Sequence, residues 1–121
     1  MRIFKIKKFA KFCLGEGISD AQLLETVTEI ERGKFDADLG SGLFKQRIAR
    51  RGEGKSGGYR VILFFRMRHR VVFVHGFAKN DTANISPDLR SWYRSLANET
   101  LDSSDAIADA LVEKGYWKEV L

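Results

Sequence analysis

The sequence contains few of the features that build disulfides, zinc sites and membrane spans. Cys13 is the only cysteine among 121 residues, which excludes an internal disulfide and leaves no cysteine spacing typical of a zinc site. The longest strictly apolar run, VILFF at 61–65, is far shorter than the roughly 20 residues that a membrane-spanning helix needs. The basic amino terminus, MRIFKIKKFAKF, has no continuous apolar stretch after it, so we predict no signal peptide. We therefore expect a cytoplasmic protein that does not contact a membrane.

Acidic residues are scarce in the middle of the chain. Residues 41–80 contain ten Lys and Arg but a single acidic residue, Glu53. Residues 81–121 contain four cations and eight acidic residues, and the net charge of the whole chain is +5. Positive charge concentrated in this way favours contact with a polyanion such as nucleic acid. The alternative is a basic surface that only keeps the protein soluble.

The length and composition predict one domain. A chain of 121 residues, 44% hydrophobic and 31% charged, can bury enough apolar surface to form a core of its own. We therefore expect residues 1–121 to form a single domain, in which residues 101–121 add a carboxy-terminal helix and a short tail.

The amino-terminal third predicts a strand and two helices. RIFKI at 2–6 is typical of a short strand, and residues 7–14 predict a short helix. Ser19, with Gln22 three positions further on, forms a capping box that predicts the start of the second helix. Gly33 predicts its end.

The carboxy-terminal third predicts two further helices and an apolar tail. The pair SP at 86–87 is typical of an N-cap and a first helical residue, and we expect Trp92 to be an apolar anchor of that helix. The last helix is predicted to begin near 103–104, with Ile107 facing inward. The tail YWKEVL at 116–121 is expected to form a short edge strand or to dock on the body of the domain.

Between these helices the hydrophobic period changes to two. Residues 43–49, Tyr59–Arg66 and 71–79 predict three strands, of which the last two form a hairpin through the short link MRHR. The predicted fold class is α+β: a small, mainly antiparallel sheet packed against two amino-terminal helices, with further helices at the carboxy end.

Alternation along these strands gathers three cations on one face of the sheet. Successive side chains of a strand point to opposite faces, and we expect the apolar face to pack against the helices. The other face then carries Lys45, Arg47 and Arg60 together as exposed side chains. They lie beside the basic segment GKSGGYR at 54–60, whose last two glycines allow a tight turn, with positive φ, into the strand. The pattern indicates a site for an anionic ligand, although exposed cations can also serve solubility alone.

These elements and motifs together resemble a known family. The order of the helices, the strand with KQR at 45–47, the GKSGGYR segment, FVHGFAKND at 73–81 and NIS at 84–86 resemble the RelE/ParE superfamily of bacterial toxins. The likeness is strongest to its phage-derived, HigB-like branch. It covers residues 1 to about 98, and the acidic carboxy-terminal helix is also typical of that branch. The resemblance implies a RelE-like fold.

The resemblance also implies a chemistry. RelE-like toxins are small ribonucleases that enter the ribosomal decoding site and cut messenger RNA without a metal or another cofactor. The ribose 2′-hydroxyl attacks the adjacent phosphate in line, and fixed cations stabilise the charge that develops. The positions that match the family's catalytic cations are Lys45, Arg47, Arg60 and Lys79. Further contacts with RNA or the ribosome are expected from Arg50, Arg51, Lys55, Tyr59 and Asn80.

The resemblance does not assign the general acid and base. Asn80 stands where RelE has an arginine, and the family's catalytic tyrosine falls on Ser86, which we interpret as a helix cap. His75 either packs in the core or, if its face opens to the cleft, acts as the acid or base. Tyr59 either stacks on a base or packs in the core. We predict no metal site, because the Asp, Glu and His residues show no ligand spacing.

Three functions stay open at this point. The first is a ribosome-dependent messenger-RNA endonuclease. The second is a binding toxin like ParE, which poisons DNA gyrase by protein contact on the same fold, and the third is a basic RNA-binding module. Nuclease chemistry needs the cations to converge, whereas gyrase inhibition does not. The resemblance also implies three partners: a cognate antitoxin, of helix-turn-helix type in the HigB-like branch, the ribosome and messenger RNA.

Overall fold

Four helices and six strands occur in the part of the chain that the structure describes. The computed structural model covers residues 1–50, 57–78 and 85–121. The helices are α1 (Lys7–Glu16), α2 (Asp20–Glu31), α3 (Pro87–Asp102) and α4 (Asp105–Glu113). The strands are β1 (Arg2–Ile6), β2 (Ala37–Gly40), β3 (Leu43–Ile48), β4 (Tyr59–Arg66), β5 (Arg70–Ala78) and β6 (Trp117–Glu119). None of the helices in these ranges is long and apolar enough to cross a membrane.

The strands form one mixed sheet in the order β2-β3-β4-β5-β1-β6. β4 pairs antiparallel with both β3 and β5, as the sequence predicts. β1 lies parallel to β5 and antiparallel to β6, so the two ends of the chain pair with each other at one edge. β2, which the sequence pattern does not predict, forms the opposite edge. The predicted α+β class with a mainly antiparallel sheet is therefore confirmed.

The amino-terminal helices are bounded by the residues that the sequence indicates. Ser19 Oγ accepts a hydrogen bond from the Gln22 backbone N–H at 3.2 Å, and the Gln22 side chain accepts one from the Ser19 N–H at 3.0 Å. This capping box fixes the start of α2. Gly33 follows α2 with a φ of 78°, which glycine adopts without strain. α1 extends to Glu16, slightly beyond the predicted end.

α1 and α2 pack on one face of the sheet. Phe9 of α1 and Leu23 of α2 are fully buried against Val61 and Leu63 of β4. The Phe9 ring also stacks on Phe73 of β5, with 5.3 Å between the ring centroids. Each such side chain stabilises the fold by about 1.5–3 kcal/mol through burial, so this layer forms the main core.

α3 and α4 cover much of the opposite face, which the strand alternation predicts to be open. Tyr93 and Leu101 of α3 are buried against Ile62 and Phe64 of β4. The expectation of an uncovered face is therefore wrong, because Ile62 and Phe64, which point to the same face of β4 as Arg60, form a second core with these helices. Arg60 lies on this face at the start of β4, and Arg66, at the other end of the strand, forms an ion pair with Asp102 of α3.

The residues of α3 and α4 that face the sheet include the neighbours of two predicted anchors, one position further along each helix. Trp92 is 56% exposed and Ile107 53% exposed, whereas their neighbours Tyr93 and Ala108 are buried. Both predicted anchors are therefore wrong. Where apolar residues are adjacent along a helix, the 3.6-residue period fits more than one stripe.

The carboxy-terminal tail packs on the sheet as an edge strand, as predicted. Trp117 pairs with Ile6 across the β1–β6 ladder. Its side chain is buried, and its ring lies 5.0 Å from the Phe4 ring. Val120 is also buried, whereas Leu121 is exposed. Trp117 packs in the core on the α3–α4 side of the sheet and Val120 in the core on the α1–α2 side, so the tail contributes to both.

Candidate active site

Three cations occupy neighbouring positions on one face of the sheet. In the Cα register Arg47 of β3 lies opposite Arg60 of β4, and Lys45 lies opposite Ile62. On β5, His75 pairs with Ile62, so Lys45, Ile62 and His75 lie side by side across three strands. Neighbouring strands lie about 4.8 Å apart, so the backbone positions of these cations and His75 fall within roughly 12 Å. We call Lys45, Arg47 and Arg60 the cation cluster.

A carboxylate that the sequence pattern does not single out lies within the cluster. Asp36 Oδ1 is 3.0 Å from Arg47 Nε, and Asp36 Oδ2 is 3.6 Å from Lys45 Nζ. The Lys45 side chain is 15% exposed, against 45% for Arg47. Arg47 also lines a surface cavity of about 600 Å³ between α2 and this edge of the sheet. Arg47 is therefore the more accessible of the two cations on β3.

Arg60 is buried, which corrects the expectation that it is exposed. The residue is only 7% exposed, and its Nη1 is 3.5 Å from the Tyr59 carbonyl oxygen. The physical reason is its place on a central strand, where Arg47 flanks it on β3 and Phe77 on β5. A charge held in such surroundings is screened less than one in open water. Arg60 therefore sits in the part of the cluster where a fixed charge has most effect.

His75 is partly exposed on the same face, between aromatic rings. Its ring centroid lies 5.8 Å from that of Phe77 and 6.0 Å from that of Tyr93. His75 pairs with Ile62, and the register of the β4–β5 pairing shifts directly after this pair. Burial, followed by the charge of Lys8, lowers the pKa of His75 below its ordinary value. The ring is therefore neutral at pH 7 and able to accept a proton.

Tyr59 lies on the α1–α2 face, away from the cation cluster. It is only 4% exposed, and its ring meets Phe12 edge-on with 5.8 Å between the centroids. Its hydroxyl donates a hydrogen bond to the Glu16 carbonyl oxygen at 3.3 Å. The guanidinium carbon of Arg50 lies 5.6 Å from the Tyr59 ring centroid, a cation–π arrangement. Of the two interpretations of Tyr59, this burial favours packing in the core over stacking on a base.

Gly58 allows a close backbone approach at the start of β4. A Cβ atom there would lie 2.1 Å from the Ile48 carbonyl oxygen and 2.7 Å from the Arg50 backbone nitrogen. Its φ is outside the left-handed region, so the expected positive φ is wrong at this residue. Glycine is required here for space, because β3 and β4 approach each other too closely for a side chain.

Four predicted site residues lie outside the described residues: Arg51, Lys55, Lys79 and Asn80.

Two residues close to the site do not follow from the sequence pattern. Asp36 belongs to FDAD, directly ahead of a strand that is too short to show a period of two. Tyr93 stands next to Trp92, so spacing alone does not reveal which of the two aromatic rings faces the sheet. Ser86 behaves as predicted, since its Oγ accepts a hydrogen bond from the Leu89 N–H at 3.1 Å and caps α3.

The cation cluster has the chemistry of a phosphate site. Arginine and lysine donate charge-assisted hydrogen bonds to phosphate oxygens, and arginine can do so with two parallel N–H groups. Donors fixed in advance stabilise negative charge that develops on such an oxygen. Within residues 1–50, 57–78 and 85–121, no group of three or more His, Cys, Asp or Glu could hold a metal ion.

Comparison with known protein families gives a match to this chain. A family model described as the RelE toxin of the RelE/RelB toxin–antitoxin system matches residues 1–120. No protein with a curated description matches the chain. The matched range spans nearly the whole chain and includes the cation cluster. The chain therefore belongs to the RelE family of toxins from toxin–antitoxin systems.

Proposed function

We propose that this RelE-family toxin is an endoribonuclease that cuts messenger RNA on the ribosome, without a metal at the protein, and so inhibits translation. The observation that carries the proposal is the register of Arg47 opposite Arg60, with Lys45 on the same face. RNA phosphates are anions that suit such a cluster, and the family is generally associated with ribonuclease activity. We also propose that residues 1–121 form one RelE-like toxin domain.

The proposed reaction is the attack of a ribose 2′-hydroxyl on the adjacent phosphorus. The hydroxyl loses its proton, an O2′–P bond forms and the P–O5′ bond breaks. The products are a 2′,3′-cyclic phosphate and a 5′-hydroxyl, which takes up a proton. Arg60 binds the phosphate, and Lys45 and Arg47 stabilise the charge that builds on its oxygens, with Lys79 as a further cation. Removing one fixed donor of this kind typically costs about 2.7–4 kcal/mol of transition-state stabilisation.

His75 is the proposed base in this reaction. His75 pairs with Ile62, two positions after Arg60 on β4, so His75 and Arg60 belong to the same face of the sheet. Its lowered pKa keeps the imidazole neutral at pH 7, which is the form that accepts the proton of the 2′-hydroxyl.

The partners follow from the family and from the charge of the chain. A toxin of the RelE family has a cognate antitoxin, and we propose one of helix-turn-helix type, as in the HigB-like branch. The toxin is proposed to act in the cytoplasm, where it meets translating ribosomes. The proposed contacts with RNA or the ribosome are Arg50, Arg51, Lys55 and Asn80.

Mapping of messenger-RNA 5′ ends tests the proposal in cells. The chain is expressed with and without its antitoxin, and new 5′ ends are located by sequencing. We expect ends inside translated reading frames, which appear only without the antitoxin. Intact messages together with gyrase-linked DNA breaks would refute the nuclease function and support a ParE-like gyrase inhibitor. RNA binding with neither cuts nor DNA breaks would indicate a plain RNA-binding module.

A second experiment tests the dependence on ribosomes and the independence from metal. The purified protein is incubated with one message, either naked or bound to programmed ribosomes. We expect rapid cutting only on the ribosome. Efficient cutting of the naked message that a chelator abolishes would contradict both parts of the proposal.

A further inference from the structure

We propose that Asp36 is a positioning residue of the cation cluster, which holds the Lys45 and Arg47 side chains side by side before RNA binds. The role rests on the proposed nuclease function, because RNA phosphate is the ligand that these cations meet.

One carboxylate joins both cations of β3. Asp36 uses a different oxygen for each, Oδ1 for Arg47 Nε at 3.0 Å and Oδ2 for Lys45 Nζ at 3.6 Å. The side chains of Asp36 and Lys45 are only 13% and 15% exposed. Their attraction is therefore screened less by water than that of an ordinary surface ion pair.

The backbone of Asp36 is fixed by the residue between the two cations. Gln46 is buried and accepts a hydrogen bond from the Asp36 N–H through Oε1 at 3.1 Å. Its Nε2 donates another, at 2.7 Å, to the backbone carbonyl two residues before Asp36. Ala37, the next residue, pairs with Lys45 across the β2–β3 ladder. The segment KQR at 45–47 therefore holds Asp36 by its backbone as well as by its carboxylate.

This arrangement restrains two side chains that would otherwise separate. Lys45 and Arg47 are two positions apart on one strand, so their charges repel, and both side chains have many rotamers. A shared carboxylate offsets the repulsion and selects one arrangement of the two side chains. Less side-chain entropy is then lost when a phosphate binds. Positioning matters to the rate, because a displacement of about 1 Å at a reacting centre can lower it about 100-fold.

Single-turnover cleavage of a message on programmed ribosomes separates positioning from charge shielding. The variants are Asp36→Asn and Asp36→Glu. The matched control is Glu25→Gln, which removes the same charge from an exposed residue that lines the cavity beside Arg47. We expect the maximal rate of Asp36→Asn to fall about 10- to 100-fold, with the affinity for the ribosome complex unchanged or tighter, because a negative charge is lost.

The other variants should bracket this result. Asp36→Glu keeps the charge and should regain part of the rate, and Glu25→Gln should cut like the parent protein. Thermal melting of each variant sets an assay temperature at which all are folded. An unchanged maximal rate in Asp36→Asn, with or without a change in affinity, overturns the proposal.

An NMR measurement on the parent protein separates this proposal from the nuclease function and from the folding of the variants. The order parameter of the Arg47 Nε–H bond should lie near the rigid value of about 0.85, and below about 0.6 in Asp36→Asn. If the parent cuts no RNA, the nuclease proposal fails, while a rigid Arg47 still supports positioning by Asp36. A parental order parameter below about 0.6 overturns the positioning role whether or not RNA is cut.

Discussion

Arg60 is the residue at which the structure and the proposed activity are most closely linked. It is 7% exposed and lies between Arg47 and Phe77 in the sheet register. A buried arginine contributes packing along its aliphatic stem as well as charge. Loss of this side chain should therefore affect the stability of the fold as well as the binding of phosphate.

Arg60→Ala should lower both stability and cleavage. We expect the free energy of unfolding to fall by about 1–3 kcal/mol and the rate of cleavage to fall about 10²- to 10³-fold. Arg68→Asn is the control, because Arg68 is exposed in the β4–β5 turn at a φ of 60°, a conformation that asparagine tolerates. Urea unfolding and single-turnover cleavage measure the two effects. Arg60→Ala with the cleavage rate of the parent would exclude the phosphate-binding role.

His75 should make the protein less stable in mild acid. The unfolded chain titrates this histidine at about 6.5, whereas burial lowers its pKa in the folded protein. Between these two pKa values the unfolded chain binds more protons, so the free energy of unfolding decreases as the pH falls below about 6.5. Urea unfolding at pH 7.5 and 5.5 should show a smaller loss for His75→Gln than for the parent. Equal losses would contradict the account of this residue.

The positions of the cluster residues could be predicted from the sequence, but their environments could not. Strand alternation and the family resemblance place Lys45, Arg47 and Arg60 on one face, and the register agrees. The burial of Arg60 depends on neighbouring strands that are distant in sequence. Asp36 reaches the cluster through the turn after α2 and through Gln46, contacts that no periodic pattern encodes.

At the level of the elements, β3 and β4 approach each other closely at the start of β4 because residue 58 is a glycine. Gly58→Ala would place a Cβ 2.1 Å from the Ile48 carbonyl oxygen, so the ends of β3 and β4 must move apart. We expect a loss of about 2–3 kcal/mol in the free energy of unfolding. Gly15→Ala, in α1 with open space around the new Cβ, should instead stabilise by about 0.5–1 kcal/mol. Urea unfolding compares the two variants, and a Gly58→Ala protein as stable as the parent would contradict the close approach.

The tail joins the sheet through packing and through ion pairs. Arg2 of β1 donates hydrogen bonds to Glu119 of β6 at 2.8 Å and to Asp109 of α4 at 2.7 Å. Arg70, which is fully buried, donates to Ser103 Oγ at 2.6 Å in the link between α3 and α4. These contacts connect α4 and β6 to β1, and the link between α3 and α4 to β5.

Trp117 should account for most of the stability that the tail adds. Its side chain is 8% exposed, whereas that of the neighbouring Tyr116 is 59% exposed. Trp117→Ala should cost about 3–5 kcal/mol of unfolding free energy, and Tyr116→Ala should cost less than about 0.5 kcal/mol. Urea unfolding checks the difference. Similar losses in the two variants, or rapid amide exchange after Gly115 in the parent, would show that the tail does not pack on the isolated protein.

Local signals predict the elements, whereas packing decides their faces. The capping box at Ser19 and the cap at Ser86 define the starts of α2 and α3, and both are present. β2 escapes prediction because four residues are too few for a period, and it exists only by pairing with β3. The sheet, and not the helix sequence, selects Tyr93 over Trp92 as the inward aromatic residue.

Across the whole molecule, charge is distributed along the sheet. The cation cluster lies on β3 and β4, near the β2 edge, while Asp105, Asp109 and Glu119 lie around β1 and β6 at the other edge. The three carboxylates are ion-paired with Arg2 or Arg70, whereas a cation cluster attracts a polyanion whatever its sequence. The position of the cation cluster at this edge suits the proposed contact with ribosome-bound RNA.

The most direct test of the account is the single-turnover rate at which the purified protein cuts a message in programmed ribosomes, compared between the parent and Arg47→Ala. The Arg47 side chain is 45% exposed, so the variant should melt close to the parent. We expect the cleavage rate of Arg47→Ala to be lower by a factor of about 100 or more, and that of Arg68→Asn to equal the parental rate. Equal rates for the parent and Arg47→Ala, or no cutting by the folded parent, would contradict the account.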